Sequence, residues 1–129
     1  MCRFGVKGFL IMLSVLIAAV GCRAVPIYNV TDRAIVASGG KPKTLEETKA
    51  AIVDAGRARG WSMSDKGPGH LEGTLRVRSH VAVVDIRYTT TNFSITYKDS
   101  QVLHYDGTKI HPNYNSWIQN LQGEIEKRL

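Results

Sequence analysis

The most constraining feature of this chain is a stretch between residues 61 and 98 in which, segment by segment, apolar side chains recur at every second residue. Leu71, Gly73, Leu75 and Val77 alternate with Glu72, Thr74, Arg76 and Arg78. Ala82, Val84, Ile86 and Tyr88 alternate with Val81, Val83, Asp85 and Arg87, and Phe93, Ile95 and Tyr97 with Ser94, Thr96 and Lys98. A period of two sends successive side chains to opposite faces of extended backbone, so each segment predicts a strand with one core face and one wet face. Trp61 and Met63, alternating with Ser62 and Ser64, predict a further strand before the turn signal Gly67-Pro68-Gly69. The links between segments are short, which requires an antiparallel meander.

Helix signals bracket the strands. Thr44-Leu45-Glu46-Glu47 is a capping box, in which the Thr44 hydroxyl and the Glu47 carboxylate each satisfy the other's backbone N–H. Leu45, Thr48, Ile52, Ala55 and Arg59 continue at helical spacing, and Gly60 suits the C′ position, so the spacing predicts a helix over about 45–59. A second helix is predicted from Pro112 or Asn113 to Lys127. Tyr114, Trp117, Ile118, Leu121 and Ile125 form its apolar stripe, and Pro112 fits its first turn. The expected fold is therefore α+β: a four-stranded antiparallel meander flanked by two helices, α-β-β-β-β-α, with both helices on one sheet face.

The first 22 residues have a different character. Arg3 and Lys7 precede an apolar run from Phe9 to Val20 broken only by Ser14, and Ala18, Ala19 and Gly21 are small. A dozen residues fall short of the roughly 20 that span a bilayer as a helix, so the segment predicts a cleaved leader. Ala19-Val20-Gly21-Cys22 resembles the bacterial lipobox, with alanine where leucine is most usual. The resemblance implies cleavage after residue 21, lipidation of Cys22 and attachment to a membrane. Arg23, where enteric-type bacteria commonly place aspartate for inner-membrane retention, implies an outer-membrane address on the periplasmic side. The expected organisation is a signal peptide at 1–21, a lipidated tether at 22–43 and one domain at 44–129. The tether carries Pro26, Gly39, Gly40 and Pro42. Its Ile27-Tyr28-Asn29-Val30 and Ala34-Ile35-Val36 are apolar enough to dock or add a short strand.

Composition excludes several classes. With 129 residues, 43% hydrophobic and 22% charged, the chain is neither disordered nor large enough for two domains. The net charge of +6 falls to about +4 without the leader and contains no run of adjacent cations longer than the Lys127-Arg128 pair, which argues against nucleic acid as a partner. Cys2 and Cys22 are the two cysteines, so residues 23–129 hold none, and neither an internal disulfide nor a cysteine-based zinc site can form there. His70, His80, His104 and His111 lack the spacing of a metal motif. No GxSxG elbow occurs, no Lys-Ser/Thr follows Gly67-Pro68-Gly69, and the carboxylates are scattered. These readings give no catalytic residues, no metal and no cofactor.

Two features remain as candidate ligand or partner surfaces. One is the basic part of the wet sheet face, Arg76, Arg78, Arg87 and Lys98, with Asp85 expected to pair with a neighbouring arginine. The other is the stretch Tyr105–Trp117, where His111, Asn113 and Asn115 are placed to cap the last helix or hold loop backbone. Taken together, the lipobox leader, the Ile27-Tyr28-Asn29-Val30 tether, a helix ending in Arg-Gly-Trp and the closing segment LHYDGTKIHPNYNSWIQNLQGEIEKRL resemble a group of small proteobacterial lipoproteins. The resemblance covers most of the chain. It implies localisation and an α+β fold and carries over no catalytic residue. The expected function is a membrane-anchored, non-enzymatic interaction or structural domain for an envelope protein, peptidoglycan or anionic lipid. The alternative is a small-ligand-binding or catalytic domain using the basic sheet face or the His111 loop.

Overall fold

A computed structural model describes residues 24–36 and 43–129. The expected leader, Cys22 with its expected lipidation, and the Gly39, Gly40 and Pro42 positions lie outside the described residues. The elements in chain order are β1 (Val25–Pro26), β2 (Val30–Ala34), α1 (Leu45–Ala58), β3 (Ser62–Gly67), β4 (His70–Val77), β5 (His80–Tyr88), β6 (Asn92–Gln101), β7 (Lys109–Ile110) and α2 (Pro112–Arg128). Strands β3 to β6 form the expected meander, each antiparallel to the next.

The sheet has five strands, however, not four, in the order β2-β6-β5-β4-β3, and β1 and β7 form a separate two-stranded ribbon. The fifth strand comes from the stretch read as tether. β2 pairs with the outer edge of β6, placing Val30 opposite Ile95 and Ala34 opposite Asn92. Its bulge explains why alternation did not reveal it. The register shifts between Val30 and Arg33, Asp32 adopts a φ of 47°, and its N–H donates to Ser94 Oγ at 2.9 Å. Val30 is the one β2 residue that is buried; the next four are exposed. A strand that buries a single side chain leaves almost no periodic signal.

The alternation elsewhere becomes the core. Leu71, Leu75, Ala82, Val84, Ile86, Phe93 and Ile95 cluster with Ile52 and Ala55 of α1 and with Tyr114, Ile118, Leu121 and Ile125 of α2. α1 begins at the expected capping box, with Thr44 and Glu47 bonded reciprocally at 3.1 and 2.9 Å. It ends at Gly60, whose φ is +84°. The Gly60 N–H donates to Arg57 O and the Trp61 N–H to Gly56 O, a Schellman closure that turns buried Trp61 into the core. Gly56 of α1 and Gly73 of β4 then make room for Met63. A Cβ on Gly56 would lie 2.2 Å from Met63 Cε, and one on Gly73 would lie 3.2 Å from Met63 Sδ.

The two helices are joined by charge as well as by apolar contact. Glu124 of α2 has an 8% exposed side chain, within 3.3 Å of Arg59 at the end of α1, 3.5 Å of Lys127 and 3.0 Å of Arg128. Burial raises the pKa of its carboxyl, but the hydrogen bond from Arg128 and the charges of Lys127, Arg128 and Arg59 outweigh that and leave it below its ordinary value.

Candidate functional site

His111, Asn113 and Asn115 lie at the N-terminal end of α2. Asp106-Gly107 makes the expected turn: Asp106 Oδ1 accepts from the N–H groups of Thr108 and Lys109 at 2.9 and 2.7 Å, and Gly107 has a φ of +104°. Those backbone bonds hold the Asp106 carboxyl below its ordinary pKa. The turn delivers Lys109-Ile110 to β1, with Val25 opposite Ile110 and Pro26 opposite Lys109. His111 follows as the N-cap of α2, its Nδ1 accepting from the Asn113 N–H at 3.1 Å. Since that nitrogen accepts, the capping tautomer carries its proton on Nε2. Histidine is an unusual cap; of the three residues expected to cap the helix or hold loop backbone, His111 takes the cap and Asn113 lies exposed within the helix.

Asn115 holds chain 89 residues away. Its Oδ1 accepts from Tyr28 N–H and its Nδ2 donates to Pro26 O, both at 2.9 Å. Tyr28 adds a hydroxyl bond to Gln122 at 2.6 Å, and Asn29 Oδ1 accepts from Tyr97 N–H at 3.2 Å. With the Ile27 N–H donating to Thr108 O at 3.0 Å, the segment Pro26–Asn29 is bonded to the domain at five points. Beside it, the His80 ring lies 5.9 Å from that of His111 and 6.3 Å from that of Trp117, and His80 Nδ1 donates to Val102 O. Val102 is 49% exposed.

The wet sheet face is more neutralised than its cation count suggests. Lys98, at a bulge between β5 and β6, reaches over β5 to Glu72 of β4 at 2.8 Å. The bond raises the Lys98 pKa and lowers that of Glu72. Asp85 pairs with His70 at 2.7 Å, not with an arginine as expected. His70 sits directly opposite Arg87, so a ring already on β4 reaches diagonally to the carboxylate two residues along β5. Arg78 leaves the face: it occupies the β4–β5 turn with a φ of 58°. Arg76 lies opposite Val81 and Arg87 opposite His70, six residues apart on β5, or about 20 Å at strand rise. Arg76 and Arg87 therefore do not converge on one small anion.

Two clefts that the sequence reading did not anticipate flank α1. One of about 150 Å³ is lined by Leu45, Glu46, Lys49, Asp65 and Tyr88, with Lys49 and Asp65 paired at 2.6 Å across it. The other, of about 330 Å³, is lined by Val53, Arg57, Trp61, Ser62 and Met63. Both arise where a helix face meets an edge strand, a juxtaposition that no local pattern encodes. Neither contains any of Arg76, Arg78, Arg87, Lys98, His111, Asn113 or Asn115. Among the described residues, no three His, Cys, Asp or Glu side chains gather as a metal site, and no helix is long and apolar enough to cross a membrane.

The chain matches no protein-family model, no curated protein and no solved structure.

Proposed function

We propose that this chain is a lipid-anchored envelope protein whose α+β domain serves a non-enzymatic interaction or structural role, held on the outer membrane at its periplasmic side. The observation that carries the reading is Cys22: an apolar run ends in Ala19-Val20-Gly21 immediately before it, and no other cysteine follows in the chain. A thiol at that position has lipidation as its chemistry, and a multiply acylated terminus does not leave a bilayer spontaneously. Partner classes that fit are an envelope protein, peptidoglycan or anionic lipid.

The rival reading, a small-ligand or catalytic domain, is less well supported. Arg76 and Arg87 are about 20 Å apart, Lys98 is engaged by Glu72, and His111 and Asn115 spend their side chains on backbone. Metabolic labelling with a clickable palmitate analogue tests the proposal. The wild-type chain is expected to take up label and Cys22→Ala to lose it. An unlabelled wild type, or label that survives the substitution, contradicts it.

A further inference from the structure

We propose that the domain does not swing on a long tether but rests one defined end on the headgroups of the bilayer that holds its lipid. That end comprises the β1–β7 ribbon, the β4–β5 turn and the loop around Val102. The inference rests on the lipoprotein reading of Cys22 and adds to it the orientation and the contact surface.

The first argument is chain length. Only Arg23 and Ala24 separate Cys22 from Val25, which is already paired with Ile110. Three Cα–Cα steps extend at most about 11 Å. The headgroup layer of a bilayer is itself about 5–7 Å deep on each side. Anchored at Cys22, the ribbon can rise no more than about 4–6 Å beyond the headgroups, so the domain stays within side-chain reach of them. Nor can the tether lengthen by peeling off cheaply, because Pro26, Ile27, Tyr28 and Asn29 are each bonded to the domain.

The second argument is what surrounds the ribbon. Ile110 leads directly to His111, whose ring lies beside that of His80, and His80 closes the turn that carries Arg78 and Ser79. Val102, whose carbonyl accepts from His80, is one of two large hydrophobic residues found strongly exposed among those described. Arg78 and Lys109 are exposed at this end, and Arg23 adjoins it in sequence. The acid of the same loop, Asp106, has its carboxylate turned onto backbone N–H groups. Cations with an exposed apolar side chain suit an anionic lipid surface. Arg78, which the turn removes from the sheet face, gains a role there. The opposite end of the sheet, with Lys66 before the β3–β4 turn and Thr90 in the β5–β6 turn, lies a nine-residue strand away, about 30 Å.

The test uses the full-length lipidated protein in vesicles of phosphatidylcholine and phosphatidylglycerol. An environment-sensitive fluorophore is attached through Ser79→Cys, Lys109→Cys, Lys66→Cys or Thr90→Cys, and quenching by a headgroup nitroxide lipid is measured. Severalfold stronger quenching at positions 79 and 109 than at 66 and 90 is expected. Equal quenching at both ends, or the reverse order, overturns the orientation. Intact mass of the same samples separates the two failures. An acylated chain with uniform quenching refutes the orientation alone, whereas an unacylated chain refutes the lipoprotein reading and the orientation with it.

Discussion

Asn115 and Tyr28 form a side-chain substitute for a strand pairing: the Asn115 carboxamide accepts the Tyr28 N–H and donates to the carbonyl two residues earlier, on Pro26, each at 2.9 Å. A primary amide offers a donor and an acceptor side by side, so one residue of α2 satisfies backbone at the end of β1 and in the link to β2. The domain's N-terminal boundary depends on this pair. Asn115→Ala is expected to lower stability by about 1–2 kcal/mol, since two backbone bonds are lost, the one to Tyr28 partly buried and the one to Pro26 exposed. Asn115→Asp, which keeps the acceptor and loses the donor, should fall between. Denaturant midpoints give the order, and hydrogen exchange at the Tyr28 amide should accelerate before exchange in β4 or β5. Unchanged protection at Tyr28 in Asn115→Ala would show that the clamp is incidental.

Val30 tests whether β2 belongs to the cooperative unit. It is 4% exposed and faces Ile95 across the β2–β6 pair. Val30→Ala removes about two buried methylene equivalents and should cost about 1.5–2.5 kcal/mol. Thr31→Ala, at an exposed neighbouring position, should change the midpoint by less than about 0.5 kcal/mol. Equal effects would mean that β2 lies on the sheet without contributing to its core.

Tyr114 carries a fully buried hydroxyl with no hydrogen-bond partner among the described residues, beneath the ring of Tyr97 at 5.9 Å. Removing an unsatisfied polar atom removes a desolvation penalty, so Tyr114→Phe should leave stability unchanged or raise it by up to about 1–2 kcal/mol. Burial, reinforced by Tyr97 and Tyr105, pushes the Tyr114 phenol far above its ordinary pKa. The unfolded chain therefore ionises first, and stability falls as pH rises above about 10. Urea titrations at pH 8 and above pH 10 should show a smaller alkaline loss in Tyr114→Phe than in wild type. Tyr88, shifted upward mainly by burial, contributes to the loss that remains.

Glu124 gives the acid side. Its pKa is lowered in the folded state despite burial, so its contribution is fully present above the ordinary glutamate pKa and disappears as pH falls through the lower folded value. Glu124→Gln should destabilise the protein at neutral pH by loosening the Arg59–Glu124–Arg128 junction between α1 and α2. The gap from wild type should narrow steadily below about pH 4. A gap that stays constant with pH would assign the effect to packing alone.

The residues that were legible in the sequence share one property: their pattern repeats within a single element. The alternation in β4, β5 and β6, the capping box at Thr44 and the apolar stripe of α2 all express burial against a regular backbone period, and the sheet and helices follow from them. β2 was obscured by its bulge and its single buried side chain. The sites depended on partners far apart in sequence, where no period operates. Asp85 found His70 instead of an arginine because pairing depends on register and side-chain reach. His111, Asn113 and Asn115 form a legible cluster in sequence, and the cap at His111 is local, but the use of Asn115 as a clamp on Pro26 and Tyr28 depended on chain 87–89 residues away. The Met63 slot between Gly56 and Gly73 was likewise invisible, because its two glycines lie on different elements.

The central claim concerns the covalent state of Cys22, and intact mass spectrometry of the protein extracted from membranes addresses it most directly. The account predicts a chain that begins at Cys22 and carries the added mass of its acyl groups on that residue. A chain that retains residues 1–21, or one that begins at Cys22 with a free thiol, would contradict it.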